Sequence, residues 1–135
     1  MFTPTTSPGP DPASGTPPKE WVLRSRFVTI NFDILTAAST PGDAVRLNLF
    51  GDICFDAVLK RTDTSGPSPD LRSWVGSIPG DEFSTVALSF FPQGPLSGTI
   101  SAPIASPRWY LVHVADAPAH TIHAIYEIDQ RKVPP

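Results

Sequence analysis

The sequence predicts an all-β fold. It reads as an antiparallel meander forming a sandwich or a strongly curved sheet, with an extended Pro-rich N-terminal tail. Three observations carry this. Runs in which apolar and polar residues alternate, the period of a strand with one buried face, recur along the chain. Clusters of Pro, Gly, Asp and Ser separate those runs at short intervals. No segment shows the apolar period of a helix.

Met1 to Lys19 reads M-F-T-P-T-T-S-P-G-P-D-P-A-S-G-T-P-P-K. It offers little beyond Met1 and Phe2 to bury, and its prolines disfavour helix and sheet. The expectation is an extended strap with no regular secondary structure, held by another chain. The residues expected to touch that partner are Phe2, Pro4, Pro8, Pro10, Pro12, Pro17 and Pro18, followed by Trp21, Arg24 and Arg26. The organisation is a tail over 1–20, a β-domain over 21–129 and an exit segment over 130–135.

Trp21 to Leu35 opens the β-domain. Val28, Ile30, Phe32 and Ile34 alternate with Thr29, Asn31 and Asp33, which reads as one strand. Arg24 and Arg26 precede it on the same face. The plain reading is a solvated strand end, and the sharper one is an anchor for an acidic partner. Pro41-Gly42-Asp43 then marks a turn. Val45, Leu47 and Leu49 face one way, and after Gly51-Asp52 so do Ile53, Phe55, Ala57 and Leu59. Cys54 falls on the mixed face of that strand, as a small semi-buried hydrophobe.

Thr62 to Asp70 is a polar loop. Three strand-like runs follow: Ser73 to Ile78, Ser84 to Phe90 and Leu96 to Ala102, separated by Pro79-Gly80-Asp81 and Pro92-Gln93-Gly94-Pro95. Gly76 and Gly98 sit inside strands, where glycine marks a bulge or a close backbone approach. Trp109 to Val114 and His120 to Ile128 complete the set. On the last strand Ile122, Ala124, Tyr126 and Ile128 are read as one face. The expected core therefore takes Val28, Ile30, Phe32, Leu47, Leu49 and Phe55, together with Val86, Leu88, Ile100, Val112, Ile122 and Tyr126.

Composition bounds the function. The chain has 135 residues and a net charge of -3, which fits one domain with its own core. No basic patch suggests nucleic acid. Seventeen prolines cluster in the tail and at turns. The single cysteine forms no internal disulfide and gives no reading of compartment. No apolar run spans a bilayer, and residues 1–20 carry no signal peptide.

No motif carries chemistry. There is no H-E-x-x-H, G-x-S-x-G, phosphate loop or dinucleotide fingerprint, so no catalytic, cofactor or metal residue is assigned. His120 and His123 share no strand face, and His113 with His123 lacks a third ligand. Asp81 and Glu82 read as turn residues. Trp21, Trp74 and Trp109 lack interleaved basic residues and suit packing or a protein interface.

The chain resembles the N-terminal prodomain of reprolysin-like (adamalysin-type) bacterial zinc metalloproteases. The resemblance runs through S-R-F-V-T-I-N-F-D-I-L (Ser25 to Leu35) and L-N-L-F-G-D-I-C-F-D-A-V-L-K-R (Leu47 to Arg61). It continues in W-V-G-S-I-P-G-D, S-T-V-A-L-S-F and G-P-L-S-G-T-I, then in Trp109-Tyr110-Leu111-Val112 and His120 through Asp129. It implies a β-sheet domain that is no enzyme, assists folding of a protease and masks its cleft. Some relatives place a zinc-binding cysteine late in the domain. Cys54 lies early, and that role is not carried over.

The function expected is therefore a non-catalytic protein-interaction β-domain that buries a partner surface, of chaperone or inhibitor type. The alternative is a stand-alone structural subunit of a larger assembly, membrane-associated or not, strapped on by the tail. The partner is a protease domain in the same chain or subunits of that assembly. No cofactor, nucleic acid or transmembrane segment of its own is expected. The resemblance implies an extracytoplasmic location, periplasmic or secreted; the lack of a visible signal peptide leaves a cytoplasmic location as the alternative.

Overall fold

A computed structural model describes residues 1–5, 19–63, 70–92, 94–103, 108–115 and 122–129, with Lys19 and Asp63 by backbone alone. The strands are β1 (Phe2–Thr5), β2 (Val22–Ile30), β3 (Ala44–Phe50), β4 (Ile53–Asp63), β5 (Arg72–Ile78), β6 (Asp81–Phe90), β7 (Leu96–Ser101), β8 (Trp109–Val114) and β9 (His123–Ile128). One helix, α1 (Phe32–Ala37), lies between β2 and β3. The strands make one nine-stranded sheet in the order β1-β2-β9-β8-β7-β6-β5-β4-β3, nearly closed into a barrel. Every ladder is antiparallel. The curved-sheet expectation therefore holds, and the sandwich does not form.

Closure of this sheet has a parity problem. With nine alternating strands, the first and last in the ring run the same way. β1 and β3 thus meet parallel, and no ladder joins them. Asn48 of β3 bridges the gap with its side-chain amide. Its Oδ1 accepts from the Phe2 N–H at 3.0 Å, and its Nδ2 donates to the Phe2 carbonyl at 2.6 Å. The amide thereby does for one residue of β1 what a neighbouring backbone would do. Backbone groups alternate sides along a strand, so Pro4 turns the same way as Phe2. Its missing N–H therefore faces the seam and costs β2 no hydrogen bond.

The first residues correct the expectation for the tail. Residues 2–5 are a strand, paired from Phe2 with Ile30 to Thr5 with Phe27. Phe2 is 3% exposed, in the chain's own core. One buried aromatic and a ladder to β2 outweigh the proline count here, because Pro4 occupies the one backbone orientation that needs no donor.

A second correction concerns Phe32 and Ile34, read as a continuation of β2. The strand stops at Ile30, and α1 begins. Asn31 caps it, its side chain accepting from the Asp33 N–H at 3.2 Å. Phe32 and Leu35 then share one helix face, as an (i, i+3) pair does. Leu35 is buried at 1%, while Ile34 is left exposed. Trp74 Nε1 donates to the Ala38 carbonyl at 3.0 Å, tying the end of the helix to β5. Since β2 and β3 are separated by β1 in the ring, this connection crosses one end of the barrel.

The interior is packed. Leu47, Leu49, Ala57, Leu59, Val86, Leu88, Ile100 and Val112 are buried as their strand faces predict. Phe55, Ile30 and Phe32 pack against this core while half-buried. Gly76 and Gly98 lie where strands come close. A Cβ on Gly76 would stand 2.6 Å from the Val58 carbonyl, and one on Gly98 2.6 Å from Leu88 Cδ2. Cys54 is exposed rather than semi-buried, since the outer side of β4 is uncovered.

The face of β9 that joins the main core is the reverse of the one expected, although Ala124 and Ile128 of the expected face are buried as well. Tyr110 and Val112 point inward, and their register partners are Glu127 and Ile125. His123, Ile125 and Glu127 therefore line the interior, while Tyr126 and Ile122 stay half-buried outside the core. Apolarity favoured the other face. The inward polar groups are accommodated by specific partners: His123 Nε2 accepts from the Leu96 N–H at 3.0 Å, and Glu127 meets arginine.

Candidate functional site

Two surfaces stand out, and both follow from strand parity. The first is a charged cluster inside the open part of the seam. β1 ends opposite Phe27, and among the described residues no strand pairs with that edge of β2 beyond it. Arg24 and Arg26 point inward there, in register with Glu127 and Ile125. Arg26 Nη2 donates to the Asn48 carbonyl at 2.6 Å, crossing the seam. Arg24 Nη1 lies 2.8 Å from Asp52 in the β3–β4 turn, and its Nη2 donates to Glu127 Oε2 at 3.2 Å. Both guanidinium groups lie over the Phe50 ring, at 4.1 and 5.7 Å from its centroid. Such stacking orients a cation at small desolvation cost. Glu127 also faces Arg108 at 3.6 Å.

The charges are unequally served. The Arg24 hydrogen bond holds the Asp52 carboxyl below the usual carboxylate range, and Asp52 in turn raises Arg24. Arg26 is pushed down, by burial first and by repulsion from Arg24 second. Both arginines are half-buried, which corrects the reading of a solvated strand end. The Nε atoms of both are buried with no hydrogen-bond partner among the described residues.

The second surface is the outer face of β2, β9, β8, β7, β6 and β5. Outward positions on β5, β6 and β7 are small or hydroxylic, as in Ser73, Val75, Ala87, Ser97, Thr99 and Ser101, apart from the exposed Phe83 at the start of β6. Those on β8, β9 and β2 include larger residues, with Trp109, Leu111, Tyr126 and Phe27 half-buried, while Ala124 and Ile128 of β9 are buried. Among the described outward positions of these ladders there is no Asp, Glu, Lys or Arg. Charge gathers instead on β3 and β4, where Arg46 pairs with Asp56 at 3.3 Å. Sequence reasoning passed over this face although its signal is plain. Residues 83–107 contain no charged side chain, and up to Tyr126 only Arg108 and Asp116 interrupt.

The remaining expected sites are dispersed. Phe2 is withdrawn into the core, so its role as a partner contact is corrected. Pro4 is exposed on β1, and Pro8, Pro10, Pro12, Pro17 and Pro18 lie outside the described residues. Trp21 is half-buried, its carbonyl accepting from the Asp129 N–H at 2.9 Å. His120 lies outside the described residues. His113 points outward and His123 inward, so the two do not face one another. Among the described residues no three His, Cys, Asp or Glu gather around a common point. No helix among them is long and apolar enough to cross a membrane.

Asp81 serves its turn, accepting from the Phe83 N–H at 3.2 Å. A cavity of about 30 Å³, near the size of one water, lies between α1, Trp74 and Phe90. The described part of the barrel thus presents chemistry for binding at its rim and outer wall. No family model, curated protein or solved structure matches the chain.

Proposed function

We propose that the chain is a non-catalytic β-domain that buries the surface of a partner protein, as its resemblance to a metalloprotease prodomain implies. The uncharged outer face of β5–β9 and β2 is the surface it uses. That face is the observation that carries the reading. The surface of a small soluble domain is roughly one quarter to one third charged. A wall of six strands without charge departs from this in the direction interface cores depart, with charge removed and aromatics present. Ser and Thr hydroxyls add hydrogen-bonding capacity at little desolvation cost, whereas a buried unpaired charge would oppose docking. With this reading goes an extracytoplasmic partner of protease type, supplied by the same chain or another.

The test places charge on the wall without touching the core. Binding to a reprolysin-type protease domain is measured for the wild type and for a Thr99→Lys, Leu111→Lys variant, with melting as the control. The expected result is measurable binding that weakens by about tenfold or more at unchanged stability, since each desolvated charge opposes association. Equal binding by both proteins would remove this face from the interface. Absence of binding by the wild type would reject the protease as partner.

A further inference from the structure

We propose that Arg26, at the open end of the seam, receives a carboxylate side chain from the docked partner protein. The inference rests on the protein-docking reading above and adds the chemistry of one contact. Arg24 has two acidic partners, Asp52 and Glu127. Among the described residues Arg26 has none: its one hydrogen-bond partner there is the neutral carbonyl of Asn48. It is half-buried and repelled by Arg24, yet no carboxylate of the described residues lies against it. Charges drawn out of water are ordinarily paired, so this guanidinium carries a cost that an incoming anion removes.

The geometry shows where the anion enters. Arg26 Nη2 is engaged by Asn48, and its Nε is buried. Nη1 remains as the donor that reaches solvent. Phe50 beneath the two guanidinium groups fixes their orientation, which limits the entropy lost on binding. β1 ends opposite Phe27, and among the described residues no strand pairs with that edge of β2 at Arg26. A partner carboxylate that reaches Nη1 makes a charge-assisted hydrogen bond there.

The probe is a short glutamate-rich peptide, followed through the arginine Nε–H resonances of the intact chain. Inorganic phosphate and a lysine-rich peptide serve as comparison arms. The glutamate peptide should shift the Arg26 resonance saturably, and the lysine peptide should not. Arg26→Gln should weaken binding by about tenfold or more, the range of a hydrogen bond to a charged group. Arg26→Lys keeps the charge, and its partial retention should separate attraction from loss of fold. No shift with the glutamate peptide, or undiminished binding by both variants, overturns the proposal. A response to phosphate alone overturns the assignment to a protein carboxylate. None of these failures alters binding at the outer wall, which the Thr99→Lys, Leu111→Lys variant reads separately.

Discussion

Replacing Asn48 with alanine should release β1 from β3 while leaving the antiparallel ladders formed. The magnitude follows from the bonds removed. Two hydrogen bonds to the Phe2 backbone are lost, at 3.0 and 2.6 Å. Each contributes about 0.5–1.5 kcal/mol net, and leaving a buried backbone group unpaired costs about 1–3 kcal/mol. Asn48 is half-buried, so water recovers part of this, and a loss of about 2–3 kcal/mol is expected. Urea unfolding reads the global change. Amide exchange at Thr3 and Thr29, partners in the β1–β2 ladder, reads the local one. Exchange there should quicken by roughly 30- to 150-fold if the strand detaches with that free energy. Asn48→Asp supplies a shape control. It keeps an acceptor for the Phe2 N–H but sets a carboxylate against the Phe2 carbonyl, so it should not restore the seam. A stability change within about 0.5 kcal/mol, with unaltered exchange at Thr3, would show that the burial of Phe2 alone holds β1.

Further outcomes are expected elsewhere. Ile125→Ala should cost about 2–5 kcal/mol and Tyr126→Ala clearly less, because β9 turns Ile125 inward; the reverse order in chemical denaturation would contradict the assigned face. Gly98→Ala should destabilise by about 1–3 kcal/mol or more, its Cβ meeting the Ala87 carbonyl and Leu88, whereas Gly51→Ala meets nothing within 4 Å and should stay within about 0.5 kcal/mol. The Asp52 carboxyl is depressed in the folded protein, so its pairing with Arg24 is fully present above the ordinary carboxylate value of 3.8. That contribution is lost as the pH falls through the lower folded value. Melting curves of wild type and Asp52→Asn should therefore converge under acid; a difference that persists at the acid end would count against the pair.

Strand existence was legible because alternation is a local signal. Val45, Leu47 and Leu49, or Val86, Leu88 and Phe90, need only one covered face to be read. Three of the misreadings share a cause: competition between signals of similar strength. At Asn31 a cap and an (i, i+3) apolar pair competed with four residues of apparent alternation, and the cap prevailed. On β9 both faces carry apolar bulk, and the choice was made by partners distant in sequence. Arg24 meets Glu127, and the Leu96 N–H meets His123. In the tail, one phenylalanine and one favourably placed proline escaped a judgement made on average composition. The charge-free wall was written openly in residues 83–107, but only the strand register shows that it forms one continuous face.

The parity of the ring has a consequence for solubility. An odd number of strands cannot close on antiparallel ladders alone: the last joint must be parallel, and where no ladder forms there, as here, a pair of strand edges is left. Such edges recruit strands from other molecules and begin aggregates. Here the defect is confined and blocked. Pro4 removes a donor from the β1 edge, the Asn48 amide occupies the groups of Phe2, and Arg46 holds an exposed charge on β3. Arg26 consumes the Asn48 carbonyl that an incoming strand would need. Residues that close the barrel are therefore also the ones that keep separate molecules from joining through it. A Pro4→Thr, Asn48→Ala double variant should lose that protection, appearing in sedimentation as concentration-dependent association that the wild type does not show.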